Sequence, residues 1–230
     1  MKPVDAGLLS AVMMGERRGI QRWLDRGANL HAVNKRGKTA LMLCANVETL
    51  DWLISKGVAL EARDYGGCTA LFEHAERGNL QIVRSLVEHG ANVNIKDNRG
   101  CTALFGAATW HKPEVVRLLL DHGADVNVRE NAGKTPLMEA AWPFPEDTEA
   151  IETLSLLLNH GADVNAVDQD GKTALIRLLE DDQHETGYEE IVQLLLAYNA
   201  QADIVDSDGN TALGISAFRG LDDVVTLLSP

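Results

Sequence analysis

A tripeptide of threonine, alanine or proline, and leucine recurs along this chain, each time two residues after a glycine. The six copies begin at Thr39, Thr69, Thr102, Thr135, Thr173 and Thr211, which are 30, 33, 33, 38 and 38 residues apart. A period near 33 residues is typical of a stacked repeat array, in which each unit buries its apolar face against its neighbours. Such an array usually carries its function on a long shared surface.

One period, residues 97–127, reads as a turn followed by two helices. Asp97 and Gly100 occupy the first and fourth positions of a predicted type I turn. Thr102 is suited to cap the first helix, because its hydroxyl can accept a hydrogen bond from a free backbone N–H. Pro113 favours the start of a second, apolar helix, and a glycine ten residues later can end that helix.

Four elements recur with this period: a D-x-x-G-x-T-[AP]-L turn, a pair of alanines, an I/V-V-x-x-L-L run and a G-A-D-V-N exit segment. The pattern resembles the ankyrin repeat over nearly the whole chain. The resemblance implies an all-α repeat solenoid, an ankyrin-like stack of helix-turn-helix units joined by β-turn/hairpin loops. We expect one domain over residues 1–230, with units of approximately 5–33, 34–63, 64–96, 97–129, 130–167, 168–205 and 206–230.

The sequence departs from the family pattern in both side chains and spacing. Other residues replace the family's histidine after the tripeptide, namely Met42, Phe72, Phe105, Met138, Ile176 and Gly214. We expect the polar tie of that histidine to be lost and apolar packing to substitute. The second repeat is three residues short, which we assign to the link between its helices at residues 45–48. Repeats five and six carry extra residues within 142–147 and 180–188, which should lie side by side as a second candidate partner site.

Charge is distributed unevenly along the chain. Residues 1–115 hold 15 Lys+Arg and 12 Asp+Glu, whereas residues 116–230 hold 6 Lys+Arg and 22 Asp+Glu, a net charge of −16. The acidic half should repel nucleic acid and anionic membranes and speed the approach of a basic protein partner. The alternative is that the acid only keeps an extended array soluble.

The chain contains neither a long apolar stretch nor the cleavage pattern of a signal peptide near Met1. We therefore expect a cytoplasmic protein, or a nuclear one if the source is eukaryotic.

Catalytic and metal-binding motifs are absent from the sequence, so we expect neither an enzyme nor a cofactor or metal. Three histidines, His89, His122 and His160, precede helix-ending glycines and are explained by the fold. The acidic run 180–185 lacks the pattern of a calcium loop. The three cysteines, of which Cys44 is expected on a helix, are interpreted as free structural thiols.

The resemblance also implies where a partner would make contact: at the turn tips, at the residue before the threonine, and just after the paired alanines. These positions form the concave face of the family fold. The candidate contact residues are Tyr65, Arg77, Arg99, Trp110, Trp142, Lys134, Asp170, Glu180 and Phe218.

Four of these candidates are aromatic residues, at positions where the fold needs none. Tryptophan, tyrosine and arginine dominate the energetics of protein interfaces. The alternative is that Trp110 and Trp142 pack on neighbouring turns. We expect Phe72 and Phe105 to be core residues, and Trp23 and Trp52 to be packing residues on the outer side.

The leading hypothesis is a non-enzymatic, monomeric protein-interaction module that holds one protein partner on its concave face. A second hypothesis is a regulatory inhibitor, an immunity-type protein or a host-directed effector that blocks a basic partner through the acidic half. A third is a small enzyme or ligand-binding protein that uses the extra segments of repeats five and six.

Three asparagines, Asn94, Asn127 and Asn165, each lie eight residues after a leucine. The resemblance identifies this as a context in which ankyrin asparagines are hydroxylated in animal cells. The alternative is that each asparagine simply bonds the backbone of a turn.

Overall fold

The computed structural model describes residues 2–142, 148–180 and 188–229, and of Thr148 only the backbone. The parts of the predicted extra segments at 143–147 and 181–187 lie outside these residues. The described residues form fourteen helices and no strands. The helices are α1 Pro3–Met13, α2 Arg17–Asp25, α3 Ala40–Leu43, α4 Val47–Ser55, α5 Ala70–Glu76, α6 Leu80–Glu88, α7 Ala103–Thr109, α8 Pro113–Asp121, α9 Pro136–Ala140, α10 Thr148–Asn159, α11 Ala174–Glu180, α12 Tyr188–Ala197, α13 Ala212–Arg219 and α14 Asp222–Leu228.

The chain consists of two compact units, Met1–Ala103 and Leu104–Pro230. Each unit has an apolar core to which the leucine of the tripeptide contributes. That leucine is buried in five copies, at Leu41, Leu71, Leu104, Leu137 and Leu175. Burial of one such side chain stabilises the fold by about 2 kcal/mol, which explains why leucine recurs there. The predicted division into seven repeats of one domain stays a prediction.

The predicted β-turns are present before the first helices. In one of them, Asp64 Oδ1 accepts the N–H groups of Gly66 at 2.8 Å and Cys68 at 3.0 Å. Gly67 closes the turn with a φ of 82°, a left-handed conformation that favours glycine. The same pair of bonds to a side-chain oxygen forms at Asn34, Asp97, Glu130, Asp168 and Asp206.

Backbone hydrogen bonds connect one turn to the next within each unit. The Tyr65 N–H donates to the Arg36 carbonyl at 3.2 Å, and the Asn98 N–H donates to the Gly66 carbonyl at 2.9 Å. In the second unit, Gln169 and Ser207 make the equivalent bonds to Ala132 and Asp170. Neighbouring turn tips are therefore held in fixed register, as a contact surface requires.

The residue after the tripeptide acts differently from our expectation at the two methionine positions. Met42 Sδ accepts the Thr39 N–H at 3.4 Å, and Met138 Sδ accepts the Thr135 N–H at the same distance. Sulfur is a weak acceptor, so a polar tie to the start of the helix persists in reduced form. Phe72 is buried in the core, as expected.

The three histidines before helix-ending glycines bond to the ends of their own helices. The Nδ1–H groups of His89, His122 and His160 each donate to the carbonyl four residues earlier, at 2.8 Å. The Ser85 and Leu156 carbonyls also accept the backbone N–H of the same histidine, so the imidazole adds a second hydrogen bond at the last turn of the helix. This is the structural explanation that the sequence suggested.

The shortened second repeat lost residues from its first helix, and our assignment of the loss to the interhelical link was wrong. Helix α3 has four residues and α5 has seven, whereas three residues follow each helix before the next one starts. Asn46 caps α4 by accepting the Thr49 N–H at 2.9 Å, so the second helix starts normally. Cys44 accordingly lies just after α3, in an extended conformation, and not on a helix.

Candidate partner-binding surface

Among the residues that the structure describes, four large aromatic side chains are exposed, and all four are predicted contact residues. The exposed fractions are 72% for Tyr65, 53% for Trp110, 45% for Trp142 and 94% for Phe218. By contrast, Phe105 is buried, as expected for a core residue. Each of these side chains is accessible to a partner, while the contact role itself stays a prediction.

Tyr65 lies at a turn tip of the first unit and is held there by its neighbours. A Cβ atom added to Gly37 would lie 2.7 Å from Tyr65 Cδ1, so the ring packs over the preceding turn. The Asn98 amide donates to the Tyr65 carbonyl at 3.0 Å. The side chain is thus positioned by backbone contacts and still presents most of its surface to solvent.

A groove of about 290 Å³ in the second unit brings together three of the predicted contact residues, Trp110, Lys134 and Trp142. Trp110 follows α7, Trp142 follows α9, and Lys134 precedes the tripeptide of α9. Four further side chains complete the lining: Thr109, Met138, Glu139 and Arg177. We name this set of seven residues the tryptophan groove.

The charged side chains of the tryptophan groove are paired with carboxylates. Lys134 Nζ lies 2.8 Å from Glu139 Oε1. The Arg177 guanidinium pairs with Asp168, whose carboxylate is buried beneath it. Because both cations are neutralised locally, the two half-exposed tryptophan rings dominate the accessible chemistry of the groove.

Sequence analysis did not select Met138, Glu139 or Arg177 for this surface. Glu139 and Arg177 each lie four residues after the tripeptide threonine, a position that Glu73 occupies in the third repeat. A charged residue within this otherwise apolar part of the first helix is the sequence feature that could have indicated their place at the surface.

The remaining charged candidates lie outside the groove, and three are in ion pairs. Arg77 pairs with Glu73, which also accepts Lys38 Nζ at 2.6 Å. Glu73 is buried, so this carboxylate is neutralised from both sides. Arg99 Nε lies 3.3 Å from Asp97 Oδ2.

In the second unit, Glu180 lies 2.6 Å from Lys172 Nζ. This hydrogen bond raises the pKa of Lys172 above its ordinary value. Asp170 is exposed at a turn tip, where its backbone carbonyl accepts the Ser207 N–H. Of the two acidic candidates, Asp170 is therefore the one that presents its carboxylate to solvent at a turn tip.

Trp23 and Trp52, predicted as outer packing residues, are half-buried on α2 and α4. A Cβ atom added to Gly7 would lie 2.4 Å from the Trp23 ring, so Trp23 packs against α1. The Arg26 guanidinium lies 5.1 Å from the centre of the Trp23 ring. Packing is therefore the role that the structure gives Trp23.

A buried thiol and imidazole in the first unit resemble a nucleophile and its base, but their environment suppresses that chemistry. Cys44 Sγ lies 3.7 Å from His74 Nε2, and both side chains are almost fully buried. Burial raises the pKa of the Cys44 thiol to about 12 and lowers the pKa of His74. Both groups are neutral near pH 7, so the thiolate required for nucleophilic attack is scarcely populated.

The hydrogen bonds of His74 show what the pair does. The Nε2–H donates to the Leu41 carbonyl at 2.9 Å, and Nδ1 accepts the Asn79 amide at 3.0 Å. The imidazole thus connects the first helix of one repeat, α3, with that of the next, α5. Its function here is structural.

Asn127 and Asn165 connect neighbouring repeats through both ends of their amides. Asn127 Nδ2 donates to the Gly161 carbonyl at 3.1 Å, and its Oδ1 accepts the Asp163 N–H at 2.8 Å. Asn165 makes the same two bonds to Asn199 and Gln201. This supports a structural role in bonding backbone, and hydroxylation stays a prediction.

Among the residues that the structure describes, no group of three or more histidine, cysteine, aspartate or glutamate side chains is arranged to hold a metal ion. Over the same residues, no helix has the length and apolar character needed to cross a bilayer.

Comparison with known families agrees with this architecture. A family model described as ankyrin repeats, in three copies, matches residues 8–97, 75–168 and 147–230. The matches cover most of the chain, and the all-helical fold agrees with the predicted all-α repeat solenoid. This chain belongs to the ankyrin repeat family.

Proposed function

We propose that this chain is a non-enzymatic protein-interaction module that binds one protein partner through its turn tips and first helices, the concave face of the predicted solenoid. Ankyrin repeats are generally protein–protein interaction modules, which supports the class of function. The observation that carries the proposal is the tryptophan groove, where Trp110 and Trp142 remain about half exposed. Tryptophan is among the residue types most enriched in the hot spots of protein interfaces.

The proposal is tested by capturing the partner from native cells and measuring its affinity for variants. Trp110→Ala and Tyr65→Ala should each weaken binding by more than about 2 kcal/mol, because a hot-spot side chain loses its buried contact area. Isothermal titration calorimetry with the purified partner gives the affinity.

Arg84→Ala is the matched control for this experiment. Arg84 is a long, exposed side chain on α6, a second helix, away from the turn tips and first-helix ends that we propose as contacts. Its substitution should change the binding free energy by less than about 0.5 kcal/mol. Losses as small as this for both Trp110→Ala and Tyr65→Ala would remove the hot-spot assignment.

The second candidate function, a regulatory inhibitor or effector that blocks a basic partner, is favoured by the charge of the second half. Many carboxylates of the second unit are exposed, among them Asp121, Asp125, Glu149, Glu152, Asp163, Asp170, Glu190, Asp203, Asp208, Asp222 and Asp223. Attraction between such a surface and a basic partner accelerates association at low ionic strength. An association rate that falls steeply between about 50 mM and 500 mM salt supports this candidate, and a flat profile contradicts it.

The proposal includes two finer points, a monomeric state and a cytoplasmic or nuclear location. Sedimentation at micromolar concentration and imaging of the tagged chain in its native cell test them. A stable dimer or an extracellular location would contradict them.

A further inference from the structure

The tryptophan groove has the size of a side-chain site. Its volume of about 290 Å³ falls at the lower limit of small-molecule sites, which span about 300–1,000 Å³. The groove can therefore accept one large side chain with part of its backbone. A dinucleotide or another extended cofactor would not fit inside it.

The walls of the groove favour an apolar occupant. Trp110 and Trp142 supply exposed aromatic rings, which bind apolar groups by contact and exclusion of water, and the almost fully buried Met138 adds an apolar lining beside them. An acidic side chain would have to compete with Glu139 for Lys134, to which Glu139 is bonded at 2.8 Å. A basic side chain would have to compete with Lys134 and Arg177 for the carboxylates of Glu139 and Asp168, with which they are already paired.

The surroundings of the groove favour basic residues on either side of that occupant. Asp170 lies exposed at a turn tip, two residues from the carboxylate that holds Arg177. Residues 116–230 carry a net charge of −16, with 22 acidic and 6 basic side chains. A segment that passes through this field gains attraction from each lysine or arginine beside the groove.

We propose that the tryptophan groove binds one apolar anchor side chain, of the size of leucine, methionine or phenylalanine, from a partner segment in which lysine or arginine flanks the anchor. The inference rests on the proposed function and specifies the chemistry of the partner. The groove supplies apolar contact for the anchor, and the exposed carboxylates attract the basic residues on either side of it.

The probe is a library of random dodecapeptides displayed on phage. Phage that bind the Trp110→Ala/Trp142→Ala double variant are removed first, and the remaining phage are selected for binding to the full chain. The selected peptides should share one large apolar residue flanked by at least two basic residues. Synthesised peptides are then titrated by fluorescence anisotropy. The double variant should bind them at least tenfold more weakly than the unsubstituted chain.

Three further variants test the two parts of the proposal separately. Asp170→Asn should weaken the basic peptides about threefold at low salt and leave their apolar preference unchanged. Glu139→Gln removes the partner of Lys134, so the variant should lose affinity for basic peptides and tolerate acidic flanks. Val205→Ala is the control, because Val205 is an exposed apolar residue that neither lines the groove nor belongs to the candidate contacts, and it should stay within about twofold of the unsubstituted chain. Circular dichroism and urea midpoints confirm that each variant is folded.

The remaining outcomes separate this inference from the proposed function. If the selected peptides bind through Trp110 and Trp142 but carry acidic or uncharged residues beside the anchor, the proposed basic flanks are contradicted, while the groove remains a protein-binding site. If no selected peptide needs Trp110 and Trp142 of this chain for binding, the proposed apolar anchor is contradicted. This holds even if Trp110→Ala still weakens binding of the captured partner. The proposed function has a separate test, the calorimetry with the captured partner. It would be contradicted if neither Trp110→Ala nor Tyr65→Ala weakened binding of that partner.

Discussion

Individual side chains of the same chemical type have opposite environments in this protein, according to their place in the repeat. Phe72 is buried directly after the tripeptide, whereas Phe218 is 94% exposed five residues after it. Position in the period therefore decides whether an aromatic residue stabilises the core or is available to a partner. Polar residues follow the same principle, because His122 bonds the end of its own helix and His74 lies buried between two helices.

Replacement of His74 by glutamine should reduce the loss of stability in mild acid. Burial holds the folded-state pKa of His74 below its ordinary value of about 6.5. The stability that depends on the neutral ring is fully present above about pH 6.5 and is lost as the pH falls towards the folded-state pKa, since the unfolded chain binds the proton more readily. Urea unfolding at pH 7.5, 6.5 and 5.5 should give a smaller decrease in unfolding free energy for His74→Gln than for the unsubstituted chain.

The control for this comparison is His31→Gln, at an exposed histidine. This variant should keep the pH dependence of the unsubstituted chain. Equal slopes for His74→Gln and the unsubstituted chain would show that the buried imidazole does not cause the acid sensitivity.

Turns and helices of neighbouring repeats are connected by hydrogen bonds as well as by apolar packing. Backbone bonds align successive turn tips, and asparagine amides connect the exit segments. Hydrogen bonds have strict geometry, so they define the register between units that apolar contact alone would leave adjustable. This register positions Trp110 and Trp142, which come from different repeats, in one groove.

Asn127→Ala should lower the free energy of unfolding by about 1–2 kcal/mol, because the substitution removes two hydrogen bonds between neighbouring repeats. Urea unfolding followed by circular dichroism measures the change. Gln193→Ala is the control, since Gln193 is an exposed amide with no hydrogen bond recorded for its side chain within the described residues. A loss for Asn127→Ala no larger than that of the control would mean that the amide bonds contribute nothing to stability.

On the scale of the whole molecule, we expect local stability to follow how much of each helix is buried. Helix α8 buries six of its nine residues, including Val116 and Leu119. Helix α14 buries only Val224 and Leu228 of its seven residues. In a repeat array a helix is stabilised by what it buries against its immediate neighbours, so α14 should open more readily than α8.

Hydrogen exchange should therefore begin at the carboxyl-terminal end of the second unit. Amides of α13 and α14 should exchange at least about tenfold faster than those of α8 after correction for intrinsic rates, because local opening there exposes little apolar surface. Mass spectrometry of exchanged and digested protein at pH 7 measures these rates. Equal protection of α8 and α14 would contradict the nearest-neighbour description.

The repeat period and its turn and helix signals suffice to predict the ankyrin fold, because the constraints that carry it are local. Glycine at the fourth turn position, threonine before the first helix and leucine in the core each act within a few residues of their own place in the chain. The same regularity predicts that Tyr65, Trp110, Trp142 and Phe218 lie at the surface, since the repeat assigns no core role to those positions.

Contacts between side chains that are distant in sequence required the tertiary structure. Thr109 and Arg177 line one groove although 68 positions separate them in the chain, and the pairing of Arg177 with Asp168 could not be inferred from spacing. The structure also located the shortening of the second repeat in α3, which packs against α5, and the spacing of the tripeptides could not show which element was shortened. Local interactions in the sequence thus determined the repeating framework, and long-range packing decided which side chains meet in the tryptophan groove and with which charges they are paired.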